Sequence, residues 1–85
     1  PLMPLANGNI GSRNLAWTNF ANVVWVESPV GVGFSYSNDS SFAPSDTSTA
    51  EDNYAFIKGF FDQFADEFAG RPFWLAGESY AGMLL

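Results

Sequence analysis

The sequence predicts an α/β fold, a strand–helix–strand (βαβ) unit whose two strands lie parallel in a mostly parallel sheet. Three observations carry this. Val23-Val24-Trp25-Val26 and Phe73-Trp74-Leu75-Ala76 are short continuous apolar runs, the pattern of strands buried on both faces. Between them Ala50, Tyr54, Ile57, Phe61, Phe64 and Phe68 recur at spacings of 4, 3, 4, 3 and 4, one apolar face of a helix. A strand, a crossover helix and a second strand pair in parallel with a right-handed connection.

Each element follows in order. Residues 1–15 hold Pro1, Pro4, Gly8 and Gly11 and read as an extended loop. The first strand covers residues 23–26 and stops at Pro29. The glycine-rich stretch from Gly31 to Ser37 and the polar residues 37–48 form a surface loop. Ser48-Thr49-Ala50-Glu51 fits a capping box at the helix start, and Glu51 and Asp52 suit the helix dipole there. Gly70-Arg71-Pro72 ends the helix. Trp25 and Trp74 are expected as sheet residues packed under helices, and the helix aromatics as core.

Composition bounds the function classes. The chain has 85 residues, 47% hydrophobic and 18% aromatic, too apolar for a disordered segment. A free-standing domain of this size buries only about 60–65% of its chain surface. The chain therefore reads as one partial domain over residues 1–85, cut at both ends, a piece of a larger core. Nine acidic residues outnumber the three cations Arg13, Lys58 and Arg71. Such scattered positive charge makes no nucleic-acid footprint and disfavours an anionic membrane surface. With no Cys and no His, neither a disulfide scaffold nor a thiolate or imidazole zinc site can form. No metal or organic cofactor is implied.

Gly77-Glu78-Ser79-Tyr80-Ala81-Gly82 directly follows the second apolar run. A nucleophile elbow needs a sharp strand-to-helix turn with small residues two positions either side of its serine. Here those residues are Gly77 and Ala81, where the usual pattern has two glycines. Such a turn lifts the Ser79 hydroxyl above the sheet and aims the Tyr80 backbone N–H at a developing oxyanion. The residues alone also fit a strand end closed by a polar turn. Gly31 and Gly33 supply G-x-G, but Tyr36 stands where a dinucleotide fingerprint has its third glycine, and no helix follows at once. These glycines read as a tight loop.

Together the segments resemble the serine carboxypeptidase family over residues 14–83. The run from Asn22 to Ser37 is similar to that family's characteristic loop almost residue for residue. Thr49-Ala50-Glu51-Asp52-Asn53-Tyr54-Ala55-Phe56 and the Phe60-Phe61…Phe64 cluster match its next helix, and Gly77 to Gly82 its active-site serine motif. The resemblance implies an α/β-hydrolase fold and removal of C-terminal residues from peptide and protein substrates, usually at acidic pH. Ser79 matches the nucleophile and Tyr80 the residue whose amide forms half of the oxyanion hole. Glu78 matches a carboxyl that binds the substrate's free C-terminal carboxylate, sharing a proton with a second acid. A protonated carboxyl donates a hydrogen bond to that carboxylate, whereas an ionised one repels it.

The family's Asp and His lie downstream of its serine motif, so the 85 residues alone are expected to be inactive. Asp52, Asp62 and Asp66 read as a solvated helix face, and Glu27 as a structural hydrogen-bonding residue. Leu84 stands where the family usually has Tyr. Asn38-Asp39-Ser40 is an N-glycosylation sequon, which fits the family's secretory routes: vacuole or lysosome, or the extracellular space. Two other readings stay open: a carboxypeptidase-like acyltransferase using the same serine, and a non-catalytic homologue or scaffold.

Overall fold

The computed structural model describes residues 1–39 and 43–85. The chain opens on a hairpin where a loop was expected. Strand β1 (Leu2–Pro4) pairs antiparallel with β2 (Ile10–Ser12), Met3 facing Gly11. The turn is built by residues the composition obscured. Gly8 N–H donates to Leu5 O at 3.1 Å, Leu5 N–H to Asn9 O at 2.8 Å, and Asn7 Oδ1 accepts from Asn9 N–H. Gly8 sits at φ 82°, a conformation that costs glycine nothing. Asn-Gly between apolar residues is itself a hairpin signal.

A short 3₁₀ turn at Trp17–Asn19 follows. Helix α1 spans Asp46–Gln63 and begins earlier than the sequence pattern predicted. Its capping box is Ser45 with Ser48, not Ser48 with Glu51: Ser48 N–H donates to Ser45 Oγ at 3.1 Å and Ser45 N–H to Ser48 Oγ at 2.8 Å. Several hydroxyl residues in a row offer more than one frame, and the box closed on the residue just after Pro44. Asp46 is therefore the acid of the first turn, favourably placed on the dipole.

The helix is also not one rod. Phe64 (φ −111°, ψ 30°) interrupts it, and a second short helix α2 covers Ala65–Phe68. Gly70, at φ 78°, ends the segment at the predicted place. The break gathers the aromatics around Phe60, which lies beside the predicted stripe. Its ring centroid is 5.0 Å from Phe64, 5.6 Å from Phe61 and 5.7 Å from Phe68. Phe73 docks edge-on against Phe61 at 5.0 Å, tying the second apolar run to the helix. Contacts of this kind are worth about 0.5–1.5 kcal/mol each beyond burial.

The expected parallel pair of apolar runs is not formed among the described residues. Among the described residues the β1–β2 hairpin is the one sheet, and it is antiparallel. Residues 23–26 and 73–76 carry no ladder, and apart from the half-buried Val23 their side chains are open to solvent: Trp25 is 60% and Trp74 86% exposed. Tyr54, expected in the core, is exposed as well. A strand exists only through a neighbour that takes its backbone hydrogen bonds, and neither run has one here.

Among the described residues the buried apolar ones are Ala16 and Leu84. The accessible surface is 7329 Å², against about 5,000 Å² for a compact monomer of this mass. The radius of gyration is 15.7 Å, where close packing gives about 12 Å. This sequence alone does not close a core.

Candidate active site

The apolar run 73–76 leads straight into the serine turn. Glu78 is extended (φ −121°, ψ 138°), and a 3₁₀ helix, Ser79–Met83, begins at the next residue. Ser79 has φ 58°, the one positive φ at a non-glycine among the described residues. Such a conformation costs an L-residue of order 1–3 kcal/mol and persists only where its surroundings over-determine it.

The surroundings do so here. A Cβ added at Gly77 would lie 3.1 Å from Ala81 Cβ and 3.2 Å from the Ala81 carbonyl carbon. The chain therefore doubles back tightly enough around Ser79 that only a residue without a Cβ fits at position 77 without displacing Ala81. Ala81 N–H donates to Glu78 O at 3.2 Å and Leu84 N–H to Ala81 O at 3.0 Å. Glu78, Ser79 and Tyr80 are all exposed. The Tyr80 amide lies in the first turn of the 3₁₀ helix, where backbone N–H groups have no intrahelical acceptor. Among the described residues, no side-chain hydrogen bond engages the Ser79 hydroxyl or the Glu78 carboxyl.

The helix holds this turn at two points. Tyr80 OH donates to Asp46 Oδ1. That bond raises the phenol above its ordinary value near 10, and burial and the adjacent carboxylate charge add to the effect. Asn53 Nδ2 donates to Leu84 O at 2.8 Å, while Asn53 Oδ1 accepts from Ser28 Oγ at 2.9 Å. Neither Asp46 nor Asn53 stood out in the sequence as a residue near the serine. An amide within the apolar helix pattern was the one available signal.

The loop after residues 23–26 is fixed by Glu27. Its carboxylate accepts from Phe34 N–H at 2.6 Å, and its backbone carbonyl accepts from Ser35 Oγ at 2.7 Å. Gly33, at φ 56°, lies against that carboxylate with no room for a Cβ. The Ser28–Pro29 peptide is cis. Asn38 lies in an exposed bend; the third residue of its sequon, Ser40, falls outside the described residues. Among the described residues no group of three or more His, Cys, Asp or Glu could hold a metal ion, and no helix is long and apolar enough to cross a membrane.

Comparison with known proteins bears on the same segments. No solved structure gives a significant match. Among curated proteins, the chain is 51% identical over 85 residues to Serine carboxypeptidase-like 40 of Arabidopsis thaliana, covering 96% of this chain and 17% of that protein. It is 49% identical over 70 residues to the Lysosomal protective protein of Mus musculus, covering 82% of this chain and 15% of that protein. Serine carboxypeptidase-like 20 of Arabidopsis thaliana is 46% identical over 85 residues, 95% of this chain and 17% of its own length. The chain thus spans about a sixth of the length of the curated relatives it matches. The serine carboxypeptidase family model matches residues 3–85, from the hairpin through the serine turn, and the chain belongs to that family.

Proposed function

We propose that the complete protein carrying this chain is a serine-type carboxypeptidase that hydrolyses C-terminal peptide bonds through an acyl-enzyme on Ser79. The observation that carries it is the positive φ of Ser79 on a turn where Ala81 crowds the space a Cβ at position 77 would need, the backbone form that presents a nucleophile. Family membership brings with it an α/β-hydrolase fold. There the runs 23–26 and 73–76 become parallel strands, once neighbours take their backbone hydrogen bonds and cover their exposed side chains.

Ser79 Oγ attacks the carbonyl carbon of the last peptide bond, and its proton passes to a histidine base. The chain has no histidine, so the base and its acidic partner come from outside these 85 residues, which alone are inactive. The Tyr80 N–H and a second amide from elsewhere hold the oxyanion. As the C–N bond breaks, the base returns the proton to the leaving amine. Water then cleaves the ester on Ser79 and frees the enzyme. Glu78, adjacent to the nucleophile, binds the substrate's terminal carboxylate. A secretory route to lysosome, vacuole or the extracellular space fits the mouse relative's name and the exposed Asn38.

The test is fluorophosphonate labelling of the complete protein, followed by mass analysis of the labelled peptide. The expected adduct is on Ser79, lost in Ser79→Ala together with release of C-terminal residues from blocked dipeptides. A folded protein that carries no adduct at Ser79 refutes the assignment.

A further inference from the structure

Asn53 spends both ends of its amide on joints between distant segments. Its partners lie 25 residues upstream and 31 downstream. The Leu84 carbonyl can only accept, so it must face Nδ2. That leaves Oδ1 for the Ser28 hydroxyl, which can donate. Thr49, one turn earlier on the same face of α1, is 2% exposed, and Leu84 is 8% exposed. These are two of the three buried residues among those described. The joint is thus the most enclosed place in an otherwise open chain.

Leu84 is also the residue whose N–H closes onto the Ala81 carbonyl, and Ala81 is the residue that crowds Gly77 around Ser79. The chain leaving the serine turn is therefore tied to α1 through one amide, and the same amide ties in the loop that starts at Ser28.

We propose that Asn53 is a positioning residue for Ser79: by holding the Leu84 carbonyl it keeps the 3₁₀ turn closed and the nucleophile at its attack geometry. The proposal rests on Ser79 being the nucleophile. Asn53 does not touch the reacting atoms. It fixes where they sit, and a misplacement of about 1 Å costs up to about 100-fold in rate.

In the complete protein, Asn53→Asp keeps the side-chain shape and the acceptor for Ser28 Oγ but loses the donor to Leu84 O. Peptide hydrolysis is measured per active site counted by burst titration, which removes unfolded protein from the comparison. The expected result is kcat lower by about tenfold with KM unchanged, and a parallel fall in the fluorophosphonate labelling rate. Ser28→Ala leaves the Leu84 bond intact, so it lowers the thermal midpoint and leaves kcat per site within about twofold. An Asn53→Asp enzyme with the wild-type kcat and labelling rate overturns the proposal, as does an equal fall of kcat per site in Ser28→Ala. If the wild-type protein itself does not label at Ser79, the nucleophile assignment fails and the clamp falls with it. If it labels and Asn53→Asp labels as fast, the clamp alone fails.

Discussion

Gly77 and Gly82 flank Ser79 within one short motif, yet the structure sets opposite costs on the same substitution. A Cβ at Gly77 would meet Leu85 Cδ1 at 2.9 Å, Ala81 Cβ at 3.1 Å and the Ala81 carbonyl carbon at 3.2 Å. The leucine methyl can swing aside. The Ala81 backbone cannot, because its carbonyl accepts from Leu84 N–H and Leu84 is held in turn by Asn53. Gly77→Ala must therefore open the turn by a few tenths of an ångström, an overpacking cost of about 1–3 kcal/mol. A Cβ at Gly82 meets nothing within 4 Å, and its φ is not in the left-handed region. Alanine there restricts the unfolded chain and stabilises by about 0.4–1 kcal/mol. The two variants should differ by about 1.4–4 kcal/mol, which is about 10- to 1,000-fold in the folding equilibrium. Urea denaturation of the complete protein measures the difference. The fluorophosphonate labelling rate shows whether the opened turn also displaces Ser79, which predicts slower labelling for Gly77→Ala alone. If the two variants denature at the same urea concentration and label equally fast, the turn is not as tight as described, and crowding between positions 77 and 81 does not hold Ser79.

Two further outcomes follow from other places in the chain. Glu78→Ala removes the side chain proposed to hold the substrate's terminal carboxylate, so it should raise KM for peptide hydrolysis by the complete protein while Ser79 still labels with the fluorophosphonate; an unchanged KM removes Glu78 from carboxylate binding. Gly59 lies inside α1 with open space where a Cβ would go, so Gly59→Ala should stabilise the complete protein by about 1 kcal/mol in the same urea assay, and a loss of stability would mean that another segment packs there.

The helix and the serine turn were legible in the sequence because both are local. Apolar spacing located the helix, and Gly70 marked its end. The exact start was not legible. Ser45, Thr47 and Ser48 are all hydroxyl residues, and the capping box pairs Ser45 with Ser48, a serine where the usual signature has glutamate or glutamine. The break at Phe64 escaped the 3.6-residue pattern because that pattern continues unbroken to Phe68 across it. Phe60 became the hub of the aromatic cluster for the same reason: once the helix bends, a ring beside the stripe comes nearest to Phe64 and Phe68. The hairpin at β1 and β2 was hidden by prolines and glycines that read as a loop. Its Asn7-Gly8 turn was the clue that composition masked.

Residues 23–26 and 73–76 carry the composition of strands, and yet neither is paired. Strand composition states what a segment needs, namely apolar cover on both faces and backbone partners on both edges. It does not supply them. The serine turn differs in this respect. Its geometry requires a small residue at 77, a small residue at 81 and a bond or two behind them, all within a few residues or on the adjacent helix. That is why Ser79 holds a left-handed φ even though the run that leads into it lacks a sheet. The strain at Ser79 is thus encoded by its own neighbours, and a sheet formed around the run 73–76 would not have to create the turn. A loss of activity in a sheet variant distant from 77–85 should therefore leave the Ser79 turn intact, whereas a change at Gly77, Ala81 or Asn53 should disturb the turn while the sheet stays folded.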